Sequence, residues 1–263
     1  TTTTVTTHAN WDHSFFRRHS ILDAAREVER QHADSVRDVD AHMATAGPAK
    51  GRCFGRLQIE GEGHFALVGA RWNVPGQLAG DCATTASGRG MSPALTSRVY
   101  LAESCPAGDD YEPEKYTAFR LLGKTLSYTT DVSGAECGCN AALYLVSMRA
   151  ATKASQLKDY YCDAANVSGV TCSEVDLQEA NRHAWHSTLH TPHDTSGRTV
   201  GYGGGGADWI GPRHWSRDDY GPHDKACIDT RRPFRVSIAF PTSAGGDLAA
   251  IRFRLAQDRR GGG

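Results

Sequence analysis

The sequence has no surplus of charge of either sign: 29 Lys and Arg stand against 30 Asp and Glu, a formal net charge of −1 at pH 7. Gripping a phosphate backbone needs clustered Lys and Arg, so a nucleic-acid partner is not expected. Also missing is any apolar run of the roughly 20 residues that a membrane-spanning helix needs, and no membrane partner is expected. No secretory leader opens the chain, the state expected of a mature secreted protein after its removal. The four-glycine run at 203–206 is followed by neither Lys-Ser/Thr nor a helix start, which excludes a phosphate-binding loop and leaves a flexible one. There is no internal repeat. The eight cysteines (53, 82, 105, 137, 139, 162, 172 and 227) contain no C-x-x-C pair, which excludes a zinc ribbon and a dithiol redox motif.

What remains points to a β protein from an oxidising compartment. An even cysteine set without metal spacing reads as disulfides, and Asn166-Val167-Ser168 is a glycosylation sequon that suits the same setting. At 263 residues and 39% hydrophobic content, one large all-β domain is an ordinary outcome. The opening TTTTVTT reads as an edge strand or a tail. Over residues 20–43, Ile21, Leu22, Ala25, Val28, Val36, Val39 and Met43 recur at helical steps, with Ser20 and Asp23 as N-cap and early carboxylate; an amphipathic helix is expected, stopped by Gly47-Pro48. The Ile21/Ala25/Val28 stripe would pack on another surface and could dock a protein partner.

Beyond that helix the chain reads as strands, at 51–74, 98–102, 119–132, 141–148, 234–240 and 251–255, with many of the 28 glycines lying between them. Alternation and the absence of further long helices favour a curved β-sandwich. Residues 1–50 are expected as a strand-and-helix extension, and 51–263 as the sandwich.

The chemistry concentrates in residues 172–181, CSEVDLQEAN. Glu174 and Asp176, two apart on a strand, share a face, whereas Glu179 is five residues from Glu174 and strict alternation puts it on the other. One β-bulge would restore it. Three acids on one face are costly unless their charges are used. Retaining glycoside hydrolysis uses such a set: two carboxyl groups about 5–5.5 Å apart, one nucleophile and one acid/base. The plainer alternative is an exposed acidic strand or short helix.

The surrounding residues resemble the family 7 glycoside hydrolases. Residues 116–148, YTAFRLLGKTLSYTTDVSGAECGCNAALYLVSM, are similar to that family's Y-x-x-F-x-L-L-G stretch followed by C-G-L-N-G-A-L-Y-F-V-x-M. Tyr161-Cys162-Asp163 resembles its Y-C-D, and CSEVDLQEAN its C-S-E-M-D-I-W-E-A-N. Thr191-Pro192-His193, Asp208-Trp209 with Arg213, Tyr220-Gly221-Pro222 and Asp229-Thr230 follow in family order. Ala9-Asn10-Trp11 is similar to a family strand whose tryptophan stacks on glucose.

The resemblance implies a concanavalin-like jelly roll with a concave glucan cleft, secretion, no cofactor, and retaining hydrolysis of cellulose or a related β-1,4-glucan. By matched position Glu174 is the nucleophile, Glu179 the acid/base, Asp176 the nucleophile's hydrogen-bond partner, and His193 the neighbour of the acid/base. Trp11, Asn140, Tyr144, Asp163 and Arg213 are implied substrate-binding positions. It also implies that Cys162 and Cys172, flanking a short loop beside the catalytic strand, are bonded to each other.

The chain departs from the pattern in several places. Gln178 stands for the Trp of W-E-A-N and Cys139 for the Leu of C-G-L-N. The 162–172 segment is short, and family members continue past Leu255 into further strands. Short loops imply an open groove and endo action; the early end and the helix leave a non-catalytic glucan-binding or assembly protein as the alternative. Family 16 glucanases also use E-x-D-x-x-E but lack the T-P-H and Y-G-P context. His183, His186, His190 and His193 invite a metal reading, but Pro192 breaks any shared helix. One cleft histidine with its neighbours in loops is expected, and no metal.

Overall fold

The computed structural model describes residues 2–4, 53–72, 79–107, 111–151, 153–155, 158–166, 169–190 and 218–258. The helix expected at 20–43, its docking stripe, the sequon residues Val167 and Ser168, and Trp11, His193 and Arg213 lie outside them. The described residues form 14 strands: β1 (Thr2–Thr4), β2 (Cys53–Ile59), β3 (Gly63–Gly69), β4 (Cys82–Thr84), β5 (Met91–Pro93), β6 (Val99–Ala102), β7 (Thr125–Thr130), β8 (Ala141–Val146), β9 (Glu174–Ala180), β10 (Trp185–His190), β11 (Tyr220–Gly221), β12 (Ile228–Asp229), β13 (Phe234–Ala239) and β14 (Arg252–Asp258). Two single 3₁₀ turns, Pro113–Lys115 and Met148–Ala150, are their only helical segments.

Two sheets carry the argument. One has the order β1-β14-β13-β7 and the other β10-β9-β8; β2-β3-β6, β4-β5 and β11-β12 form smaller sheets. The opening threonines are an edge strand, with Thr2–Thr4 pairing antiparallel to β14. The alternation read at 234–240 is real, because Phe234, Val236 and Ile238 are buried while Arg235 is exposed. These residues, with Leu255 of β14 and Leu177 of β9, form the core between the two sheets, and Leu143, Leu145 and Val175 pack against it. A fully buried Leu or Ile there contributes roughly 1.5–3 kcal/mol. The reading of 119–132 as one strand is too long: a turn at residues 122–123 precedes β7, with Gly123 at φ +74°, a left-handed conformation that costs glycine little.

A second core, built on Ala66, Val68, Tyr100, Tyr116, Tyr161 and Cys162, lies beside the start of β9, with Val146 and Cys172 packed against it. Fully buried Asp159 is its polar centre. It accepts from Tyr100 Oη (2.6 Å), Ser155 Oγ (2.6 Å) and the Tyr161 N–H (3.1 Å), and its carbonyl accepts from Tyr116 Oη (2.6 Å). These bonds satisfy a carboxylate that would be expensive to bury unpaired and fix the segment leading to Asp163.

Cys162 and Cys172 are bonded, with Cα atoms 5.6 Å apart, and Cys53 is bonded to Cys105. The expectation for the other cysteines is corrected: Cys82, Cys137, Cys139 and Cys227 are free. An even count carries no pairing information, because a bond also needs two Cβ vectors brought face to face. Replacing Cys162 and Cys172 with alanine is expected to lower the unfolding free energy by about 2–4 kcal/mol, seen as a lower urea midpoint at unchanged slope. An unmoved midpoint would mean that the backbone bridge between Asp163 and Thr171 holds the loop unaided.

Candidate active site

The site is built on β9, and its geometry follows from pairing register. On β8 the partners of Glu174, Asp176 and Glu179 are Val146, Tyr144 and Ala142; on β10 they are His190, Thr188 and His186. Both sets of partners step by two, so each lies on one face of its strand. Paired residues share a face, and therefore Glu174, Asp176 and Glu179 do as well. Between Asp176 and Glu179, β9 has two residues, Leu177 and Gln178, where β8 has only Leu143 and β10 only Ser187. This is the expected bulge, at the expected position.

Its two residues both turn toward the inter-sheet core. Leu177 is fully buried there. The Gln178 amide donates to the Ala141 carbonyl (3.0 Å) and to Thr130 Oγ1 (3.4 Å), and its oxygen accepts from Tyr128 Oη (3.1 Å). Gln178 thus links the back of the bulge to β7 of the opposite sheet.

On the site face, Glu179 Oε1 accepts two hydrogen bonds, from Tyr144 Oη (2.9 Å) and Asn140 Nδ2 (3.1 Å). Burial, reinforced by the Glu179 charge, pushes the Tyr144 phenol far above its ordinary range, so it stays protonated and donates. Asn140 also donates to Tyr144 Oη at 3.2 Å, which locks the three side chains together.

Glu174 and Asp176 are almost fully buried, at 7% and 4% exposure. The Glu174 carboxyl is raised to about 7, by burial first and then by the nearby charges of Asp176 and Asp163, against the opposing effects of the Ala164 N–H and His190. The Ala164 N–H donates to Glu174 Oε2 at 2.9 Å, and the Asp159 network and the 162–172 disulfide hold that amide in place. Asp176 was expected to bond Glu174. Its hydrogen bond runs instead to His190, with Nε2 3.2 Å from Asp176 Oδ2, while Asp176 Oδ1 is buried with no partner among the described residues. The reason is register: His190 sits opposite Glu174 and diagonal to Asp176, so its ring reaches across. Oxygen and nitrogen atoms of Glu174, Asp176 and His190 lie within 4.8 Å of one another. An ion could accept that spacing, but the direct imidazole–carboxylate bond makes proton sharing the simpler reading.

Six of the anticipated positions therefore come together, namely Glu174, Asp176, Glu179, Asn140, Tyr144 and Asp163. The placing of the remaining histidines in loops is corrected for two of them: His186 and His190 stand on β10. Of that group, His183 alone lies in the turn, 3.7 Å from Glu136. The signal was present in WHSTLH, where Trp185 and Leu189 alternate with His186, Thr188 and His190. The Ala164 N–H carries no signal in the sequence, since a backbone donor has no residue type.

The sequence model described as glycosyl hydrolase family 7 matches residues 21–165, a stretch that ends before β9. Endoglucanase 1 of Pyricularia oryzae is 29% identical over 244 residues, covering 81% of this chain and 54% of that protein. Endo-beta-1,4-glucanase celB of Emericella nidulans is 28% identical over 248 residues, covering 78% and 55%. The chain thus spans about half the length of the curated relatives it matches. Among solved structures, endoglucanase I complexed with cellobiose superposes with a TM-score of 0.50 at 20% identity, over 82% of this chain and 72% of that one, a likeness of fold.

Proposed function

The chain belongs to glycosyl hydrolase family 7, and on that premise we propose that it hydrolyses β-1,4-glucosidic bonds of cellulose or a related β-glucan with retention, cutting within the chain from an open groove. The observation that carries the reading is the bulge at Leu177–Gln178, which brings three acids to one face at the cost of regular pairing. The endo assignment draws on the relatives, which are named as endoglucanases.

Glu174 attacks the anomeric carbon while Glu179 gives its proton to the departing glycosidic oxygen. A glycosyl ester on Glu174 forms and one shortened glucan leaves. Glu179, now a carboxylate, takes a proton from water, and the resulting hydroxide displaces Glu174 to restore the anomeric configuration. For these roles the two carboxyl groups need a separation of about 5–5.5 Å. Asn140 and Tyr144 orient Glu179 and offer amide and phenol groups to sugar hydroxyls, and Asp163 offers a carboxylate. His193 beside Glu179, Trp11 as a stacking platform and Arg213 in the cleft complete the proposed set by family match. Secretion suits a protein with two disulfides. The non-catalytic alternative gains no support, since a binding protein has no use for a buried Glu174 next to Asp176.

The test is release of reducing ends from cellulose, mixed-linkage glucan and xyloglucan, with the product anomer followed by NMR. Release from at least one of them with the β-anomer formed first is expected. No release from any, or initial formation of the α-anomer, would overturn the reading. The pH profile carries a further expectation. Glu174 must be ionised to attack, and its carboxyl is raised to about 7, so kcat/KM should climb about tenfold per pH unit on the acid side and level off above that value. A plateau already reached near pH 5 would contradict it.

A further inference from the structure

We infer that His190 is a positioning residue that holds Asp176, and through it Glu174, from the neighbouring strand; this rests on the catalytic reading of that site. His190 ends β10 in register with Glu174, and its Nε2 lies 3.2 Å from Asp176 Oδ2. The pair is well buried, with side-chain exposures of 12% and 6%. A carboxylate with two or three side-chain torsions free is a poor neighbour for a nucleophile that must attack along one line. A ring fixed on the adjacent strand removes that freedom without touching the substrate.

The charge argument runs the same way. Asp176 and Glu174 are adjacent buried acids, and two like charges in one site oppose each other's ionisation. Among the described residues, the groups facing the imidazole include Glu174 and Asp176 from β9, with His186 and Thr188 on the same face of its own strand. Tyr144 stands across from Asp176 on β8, and the Asp163 charge acts on Glu174 from the preceding loop. Acids dominate this set, which places the imidazole where a positive charge offsets theirs. A cavity of about 360 Å³ lined in part by Ser147, Ser173, Glu174 and His190 lies beside the pair and is large enough to admit water for proton exchange. By the same logic, removing the imidazolium makes Glu174 harder to ionise, because His190 is one of the two groups opposing its rise.

Two variants separate the hydrogen bond from the charge. His190→Leu removes both and is expected to lower kcat by about 10–100-fold with little change in KM, and to move the acid limb of kcat/KM up by about one pH unit, tenfold in rate on that limb. His190→Gln keeps a donor toward Asp176 without the charge; its plateau kcat should recover most of the loss while its acid limb stays displaced. Thermal melts establish that both variants are folded. Carbon-13 NMR titration of the Glu174 carboxyl reads the same coupling without substrate and should move to higher pH in both. A wild-type chain that is inactive on every glucan but has this NMR shift would sink the hydrolase reading and keep the positioning role. An unmoved Glu174 titration in His190→Leu, or an unmoved acid limb in an active chain, would overturn the role of His190.

Discussion

Glu174→Gln is expected to lower turnover of a β-glucan by about 10⁴-fold or more while leaving the affinity for a cello-oligosaccharide within a few-fold. The amide keeps the size of the side chain and its acceptor toward the Ala164 N–H at 2.9 Å, so the groove is preserved. What disappears is a lone pair basic enough to form the glycosyl ester, an interaction made only on the way to the transition state. Isothermal titration with a cello-oligosaccharide, beside single-turnover kinetics, separates the two effects. Retention of more than about a hundredth of the activity would assign the nucleophile to another group.

The same variant has an opposite effect on stability, and its sign follows from the raised carboxyl. Glu174 ionises near 7 in the folded chain against 4.5 for the free side chain. The folded state therefore binds this proton more tightly than the unfolded state. That contribution is fully present below about pH 4.5 and is lost as pH rises through 7. Glu174→Gln removes the cost of the buried charge, so its melting temperature should exceed that of the parent at pH 8 and match it at about pH 4, below the 4.5 of the free side chain. A carboxylate that costs stability at the pH where it reacts is the pattern of a group retained for chemistry.

Glu179→Gln is expected to cost about 10²–10⁴-fold in kcat on cellulose, with the loss depending on the leaving group. A glucan leaving group needs the proton that Glu179 supplies. An aryl glucoside with an acidic phenol does not, so its first step should survive, and the glycosyl ester on Glu174 should accumulate because no base activates water. Azide, which needs no base, should then restore turnover and yield the β-glycosyl azide. Formation of the α-azide, or equal losses on both substrates, would refute the acid/base role. Tyr144 and Asn140 both donate to Glu179 Oε1, so the proton to be delivered sits on Oε2; removing Tyr144 should disturb the orientation of Glu179 more than its identity.

Much of this was legible in the order of the residues. Alternation identified β13 and β14, because side chains two apart on a strand must meet the same surroundings. The spacing of Glu174, Asp176 and Glu179, read as chemistry, required a bulge between the second and third, and the pairing has one. The 162–172 bond followed from family resemblance and holds. The alternation in WHSTLH marked a strand, yet His186 and His190 were expected in loops. A histidine has little strand preference of its own, and nothing local marks which strand it will face.

The order of residues alone therefore specifies the local periods, the bulge that the carboxylates demand and the kind of chemistry that three acids on one face can perform. The tertiary structure decided which groups surround them. It set His190 against Asp176 where Glu174 was expected, sent Gln178 toward Tyr128 and Thr130 on the opposite sheet, brought the Ala164 N–H to Glu174, and left four of the eight cysteines free. The physical reason is that side-chain direction along one strand is a local property with period two. Cross-strand neighbours, burial and the raised Glu174 carboxyl depend instead on register between segments tens of residues apart, which no spacing within one segment can encode.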